Sequence, residues 1–371
     1  MYKIPFYRHS LNDEDIEEVV KVLKSPNLTT AEKNEEFELL FCRYLNVEYC
    51  LTVNSCTAGL HLAILSLDLK DDEKVLVPAI SFMASANAVL MANKNVVFVD
   101  IDPETGLMDL NRVEDMLKKD KKIKVIMPVH LYGQLVSPKD LLYLKEKYGV
   151  YIVEDSAHCI EGERDGYKPG FGDFACFSFY ATKNITCGEG GAITFHDKKF
   201  LEKIKLLRLH GLDRRRHRIL YDMELLGWKY NLTNFQSAML ITQLKRIDLL
   251  WKRREEIYKK YYNAFSKMNI KMPKIYGKSA YHLFVIFIEN RDEFINKLLN
   301  MGIEVSVHYP KPIPLLKFYR ERFGYKEEDF KNAVWFSSHV LSLPFYPSLK
   351  DEEIEYIIET IEKLIPYYLQ D

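Results

Sequence analysis

The chain has 371 residues, which suggests two domains, and 47% of them are hydrophobic and 28% charged, an ordinary globular mix that argues against a disordered chain. Its 52 Lys and Arg nearly balance 53 Asp and Glu, giving a formal charge of −1 and no global field for gripping nucleic acid or an anionic membrane. A chain of this length buries a sizeable core without staples.

In chain order, Met1-Tyr2-Lys3-Ile4-Pro5-Phe6 runs into the charged stretch Asn12-Asp13-Glu14-Asp15 with no apolar core of a secretory signal. Short apolar runs predict strands at residues 50–53, 74–77, 96–99, 125–129 and 150–153, with helices at 57–67 and 138–148 among them. That alternation predicts an α/β fold with a mostly parallel sheet, whose buried strands read as continuous apolar runs. Residues 75–93 carry no charge, but Pro78, two Ser and two Asn make them a strand, loop and helix rather than a membrane span.

Leu240, Leu244, Ile247 and Trp251 recur at spacings of four, three and four, predicting one long helix that Tyr258 and Tyr262 continue. A domain boundary is placed within it, near residue 245. Residues 13–245 then form a large domain and 246–371 a small C-terminal one, with residues 1–12 compatible with either. Beyond the boundary, 282–288 reads as a strand, 291–301 as a helix ending at Gly302, and 351–367 as a closing helix. No repeat or low-complexity segment is visible.

The six cysteines, Cys42, Cys50, Cys56, Cys159, Cys176 and Cys187, form no C-x-x-C pair, and no H-E-x-x-H appears. Neither a disulfide framework nor a metal site is expected, and free thiols point to a reducing cytoplasm.

Three segments carry chemistry. In Val53-Asn54-Ser55-Cys56-Thr57-Ala58-Gly59-Leu60 a strand gives way to a helix, whose first amides either hold an anion or are merely capped by Ser55 or Thr57. In Ile152-Val153-Glu154-Asp155-Ser156-Ala157-His158 two carboxylates end a strand, and alternation sends them to opposite faces, so they are no acid–base dyad. Ligands gather at such strand ends, and one of these acids with His158 is a site candidate; helix capping is the plainer alternative. Lys183 stands between the aromatic run Phe177-Ser178-Phe179-Tyr180 and the turn Gly188-Glu189-Gly190-Gly191. A lysine with a lowered pKa forms a Schiff base, and the glycines let backbone pass close to a planar ligand. An anion cradle, an Asp and a Lys on one α/β domain are what pyridoxal phosphate (PLP) requires.

These segments, with Pro128-Val129-His130-Leu131-Tyr132-Gly133-Gln134, the stretch from Gly227-Trp228-Lys229-Tyr230-Asn231 through Ala238, and Val307-His308-Tyr309-Pro310, resemble the DegT-type nucleotide-sugar aminotransferases from about residue 26 onward. The resemblance implies PLP fold type I: a large domain with a mostly parallel central sheet flanked by helices, plus a smaller C-terminal α+β domain. It implies that Lys183 carries the cofactor, Asp155 meets its pyridinium nitrogen, His158 lies near its ring hydroxyl and Phe82 stacks on the ring. Cys56, Thr57 and Ser178 correspond to phosphate-binding positions. Asn231 corresponds to a residue reaching the phosphate from a neighbouring subunit, which implies a homodimer with shared sites. His308 and Tyr309 are candidates for the sugar site, against a plain loop role.

The implied activity turns a nucleotide-linked keto-sugar, a 4-keto-6-deoxy hexose, into its amino-sugar with glutamate as donor. Cys56 departs from a usual glycine, Ala31 stands where a glycine is common, and Cys187 stands where a threonine is frequent. Two rivals remain. A deoxysugar dehydratase replaces the lysine with histidine, which position 183 does not. A non-catalytic regulatory protein on the same scaffold does not require the Lys183–Asp155 pair. The basic stretch with Arg208, His210, Arg214, Arg215, Arg216, His217 and Arg218 reads as solvated or interface surface, then as a diphosphate contact; it is too short to indicate a nucleic-acid partner.

Overall fold

The computed structural model describes residues 3–213 and 220–368. Arg214 to Arg218 of the basic stretch lie outside the described residues.

Helix α1 (Asp13–Leu23) opens on a capping box between Asn12 and Asp15, and α2 (Glu32–Leu45) ends at Asn46 in the left-handed region. Seven strands build the central sheet: β1 (Tyr49–Val53), β2 (Lys74–Pro78), β3 (Asn95–Val99), β4 (Ile123–Ile126), β5 (Tyr151–Asp155), β6 (Phe174–Ser178) and β7 (Gly191–Phe195), in the spatial order β1-β7-β6-β5-β4-β2-β3. β7 runs antiparallel to β1 and β6, and the other neighbours are parallel. The expected α/β architecture is therefore present. The regular fourth strand stops at Ile126, ahead of its expected end at 129, although an isolated parallel bridge joins Val129 to Asp155 beyond Pro128.

Helices α3 (Cys56–Ser66), α4 (Ala84–Met91), α5 (Leu110–Lys119), α6 (Pro138–Tyr148) and α7 (Lys199–Arg208) connect the strands. α3 has nine buried residues out of eleven, so it is a core helix rather than an amphipathic one. A Cβ at Gly59 would lie 3.3 Å from Cys176 Sγ, which shows how closely α3 approaches β6. β8 (Leu212–Asp213) and β9 (Asp222–Met223) form a short antiparallel ladder.

The single long helix expected across residue 245 is two helices, α8 (Asn234–Lys245) and α9 (Ile247–Lys267). The break falls at Arg246, with φ −113° and ψ 14°. Its guanidinium bonds both carboxylate oxygens of buried Asp15, at 2.7 and 2.5 Å, and the Ser10 carbonyl at 3.0 Å. Apolar spacing alone does not register that long-range tie.

Beyond α9, β10 (Phe284–Phe287) pairs antiparallel with β11 (Val340–Leu343). Four helices, α10 (Arg291–Asn300), α11 (Lys317–Phe323), α12 (Lys331–His339) and α13 (Asp351–Leu364), complete the described order, and a 3₁₀ turn at Ile365–Tyr367 tightens the expected closing helix around Pro366. A first core lines the central sheet, and a separate side cluster packs Ala175 and Phe177 of β6 against Phe37 and Phe41 of α2. A second joins Ile257, Tyr261 and Phe265 of α9 to Phe284, Leu298 and Ile357, each such side chain contributing about 2 kcal/mol by burial. Ile313, Tyr319 and Phe336 return to the first core. Ile4 belongs to the second and bridges Ile303, while Arg8 pairs with Glu353 at 2.8 Å. Tyr258 and Tyr262 stack on α9 and Tyr261 is buried, which is helix packing. All six cysteines are free. Among the described residues no helix is long and apolar enough to cross a membrane, and no cluster is suited to a metal ion.

Candidate active site

The carboxyl ends of β5 and β6, the first turn of α3 and the loop after β2 converge on a cavity of about 500 Å³. Cys56, Thr57, Phe82, Asp155, His158, Ser178, Lys183, His308 and Tyr309 all line it. Residues as far apart in sequence as Cys56 and Tyr309 thus meet at one place.

Lys183 follows β6 in a turn closed by its own N–H on the Tyr180 carbonyl, at 2.9 Å. Burial pushes its amine down to about 8, against opposing pulls from Cys56 and Asp155. No hydrogen bond reaches its Nζ among the described residues, so the neutral minority of the amine, about a tenth at pH 7, is open to the cavity as nucleophile or base. Burial and then the Lys183 charge hold His158 well below the ordinary histidine range, and hold His308 at about 4. Burial also raises the Tyr309 hydroxyl above its usual range; it sits 3.4 Å from His158 Nε2. Phe82 is 54% exposed, with its ring 6.1 Å from that of Tyr309.

Strand alternation separates the two carboxylates of β5. Glu154 faces away from the cavity and is fully buried, bonded to His130 Nε2 at 2.8 Å and to the Gly170 and Gly172 amides at 3.0 and 2.7 Å. His130 Nδ1 accepts from the Val136 N–H at 3.2 Å, so the proton on Nε2 is the one donated to Glu154. Asp155 faces the cavity. Its Oδ2 accepts from Ser85 at 2.6 Å and its Oδ1 from the Ala157 N–H at 3.2 Å, with Cys56 Sγ at 3.8 Å.

At the first turn of α3, Ser55 caps the Ala58 N–H at 3.1 Å. The preceding N–H groups of Cys56 and Thr57 have no acceptor among the described residues, and both residues line the cavity. Gly191 keeps this turn tight, since a Cβ there would sit 2.6 Å from the Cys56 nitrogen.

The sequence profile of the DegT/DnrJ/EryC1/StrS aminotransferase family matches residues 9–362. The chain belongs to that family. SpsC, a spore coat polysaccharide biosynthesis protein of Bacillus subtilis, is 33% identical over 98% of this chain and 97% of its own. The PLP-form of Streptococcus pneumoniae Spr1654 superposes with a TM-score of 0.92 at 30% identity, covering all of both chains. Helicobacter pylori PseC, an aminotransferase involved in the biosynthesis of pseudoaminic acid, superposes at 0.91 with 28% identity over 99% of this chain and 100% of its own. As a member of this family, the chain is a PLP-dependent aminotransferase of fold type I.

The residues present fit that cofactor. Orphaned amides at a helix N-terminus suit a phosphate, a carboxylate with hydrogen-bonding capacity to spare suits a pyridinium N–H, and a buried amine with a lowered pKa suits an aldehyde. Asn231 is the one named residue that does not line the cavity. Its Nδ2 donates to Thr30 Oγ1 at 2.7 Å and its Oδ1 accepts from Lys229 Nζ at 2.7 Å. Sequence reasoning missed Ser85, which orients Asp155, and Ser81, bonded to Ser85 at 2.8 Å. Their one-turn spacing within an otherwise apolar segment was a usable signal. It also missed His282, which lines the cavity from beyond residue 280 and carried no motif.

Proposed function

We propose that the chain aminates a nucleotide-linked keto-sugar, a 4-keto-6-deoxy hexose, with L-glutamate as amino donor, in the cytoplasm. The observation that carries the site is the meeting of Lys183, Asp155 and the free amides of Cys56 and Thr57 in one cavity. The sugar class is supported by relatives that serve polysaccharide and pseudoaminic acid biosynthesis.

In this reading Lys183 holds PLP through its aldehyde, Asp155 meets the ring nitrogen, and Phe82 covers the ring. The Cys56 and Thr57 amides and the Ser178 hydroxyl hold the phosphate, and His158 lies at the ring hydroxyl. What the cofactor supplies when bound is a carbonyl to take up the amino group and a ring that draws electron density from the adjoining carbon. Asp155 keeps a proton on the ring nitrogen by charge pairing. Ser85 fixes the direction of that carboxylate. The Lys183 amine would be the base that takes the proton from the donor's α-carbon and the acid that delivers a proton to the sugar carbon in the return half of the reaction. His308 and Tyr309 border the space left for the sugar.

The division at residue 245 is part of this reading, with the cavity supplied mainly by residues 13–245 and covered by His282, His308 and Tyr309 from 246–371. So is the homodimer, in which Asn231 reaches the partner's phosphate site. Screening nucleotide keto-sugars with L-glutamate, with products identified by mass and NMR, tests the reaction; no amination of any of them would reject it. Mixing inactive Lys183→Ala and Asn231→Ala subunits tests the sharing. Random exchange should restore about a quarter of wild-type activity, and none despite proven exchange would reject it.

A further inference from the structure

Two histidines stand side by side on the cavity wall, with ring centroids 4.3 Å apart. Their outer partners fix them in opposite tautomers. His158 Nδ1 accepts from the Tyr132 N–H at 3.3 Å, so its proton is on Nε2, where the Tyr309 hydroxyl stands 3.4 Å away at the long limit of a hydrogen bond. His282 is the reverse. Its Nδ1 lies 3.2 Å from Asn184 Oδ1, an atom that only accepts. The Asn184 amide is not free to flip. Its Nδ2 donates to both Glu161 carboxylate oxygens at 2.9 Å and to the Ala280 carbonyl at 2.8 Å, and a flip would set oxygen against all three. Glu161, Asn184 and His282 are 1%, 6% and 5% exposed, so water does not compete for these bonds. The proton of His282 therefore sits on Nδ1. Its Nε2 keeps a lone pair, no hydrogen bond reaches that atom among the described residues, and the ring lines the cavity.

We propose that Glu161 and Asn184 are positioning residues that lock His282 as a hydrogen-bond acceptor beside the His158 donor, and that the pair recognises a hydroxyl group of the cavity's occupant. A hydroxyl is the group that both donates and accepts through one oxygen, which is what this wall offers. An ammonium has no lone pair for His158. Burial keeps His282 from protonating, with His158 and Lys183 acting in the same direction, so the acceptor persists across neutral pH. The hydroxyl comes from one of two sources in the function proposed above: the PLP ring or the sugar. The lock itself is a property of the chain and stands apart from that function.

Nitrogen-15 NMR of the histidine-labelled, cofactor-free chain tests the lock, with His282 assigned by its loss in His282→Gln. The expected spectrum shows a protonated Nδ1 and an unprotonated Nε2 at His282, and Asn184→Leu should shift the population toward the Nε2-protonated form. A wild-type His282 protonated on Nε2 overturns the proposal, whatever the enzyme turns over. Titration of the same proteins with PLP then assigns the hydroxyl. His282→Leu should weaken one ligand about ten-fold, and His282→Gln, which keeps an acceptor near the Nε2 position, should restore it. A loss of PLP affinity assigns the cofactor hydroxyl. Unchanged PLP affinity with a ten-fold rise in KM for the keto-sugar assigns the sugar. Wild-type values for PLP and sugar in His282→Leu overturn the recognition.

Discussion

The two faces of one strand end differ more than their residues do. Glu154 and Asp155 are neighbours on β5, both carboxylates and both buried. Glu154 is saturated, with an imidazole and two backbone amides filling its oxygens in a region closed to solvent. Asp155 is held on one side by Ser85 and the Ala157 amide and left open toward the cavity. A carboxylate whose lone pairs are all used fixes loops, and one with capacity left over is available to a ligand. The Glu154 face thus organises the Gly170–Gly172 loop and the His130 turn, and the Asp155 face is the one open to a ligand.

The largest effect that sharpens this contrast is at Lys183, which shares the Asp155 face. Lys183→Ala should lower amination more than about 1,000-fold while the protein stays folded, as checked by steady-state rates and circular dichroism. On the other face, His130→Leu should cost about 3–5 kcal/mol in denaturant unfolding, because it strips a partner from a buried carboxylate. If turnover falls instead with stability intact, the division between the faces is wrong.

A smaller effect should appear without cofactor. The Lys183 amine sits at about 8 in the fold against an ordinary 10.5, so the unfolded chain binds more protons between those values and stability rises with pH there. Below pH 8 the penalty for a buried charge is complete, at up to about 3 kcal/mol. Lys183→Met should therefore be more stable than wild type at pH 7, and the gap should close as pH approaches 10.5. A gap independent of pH would contradict the burial of that amine. The smallest effect is at Ser85: Ser85→Ala should weaken PLP binding about ten-fold by freeing the Asp155 carboxylate, as read by absorbance titration. No change would mean that the backbone amide alone orients Asp155.

The contrast between Glu154 and Asp155 was legible in the sequence, because alternation along a strand is local. The sheet was legible for the same reason, since buried parallel strands announce themselves as apolar runs. What the sequence hid was long-range. Arg246 breaks a helix through an ion pair with Asp15, 231 residues away, while Leu240, Leu244, Ile247 and Trp251 keep a helical spacing across the break. β6 escaped because the run through Phe177 and Phe179 reads as an aromatic approach to a glycine turn before it reads as a strand, and β7 begins within that turn at Gly191. His282, Asn184 and Glu161 come together only through the fold, so no spacing marked them. The roles proposed for Lys183, Asp155 and Asn231 rest on motif resemblance; geometry adds that Lys183 and Asp155 share a cavity and that Asn231 lies outside it.

The most direct test compares Glu154→Gln with Asp155→Asn, each loaded with PLP and normalised to folded protein, by the rate at which L-glutamate changes the bound cofactor's absorbance. The account predicts that Asp155→Asn slows this reaction at least 100-fold with its unfolding free energy within about 0.5 kcal/mol of wild type, whereas Glu154→Gln reacts within a few-fold of wild type but loses about 1–3 kcal/mol of stability. A slow Glu154→Gln beside a fast Asp155→Asn would contradict it.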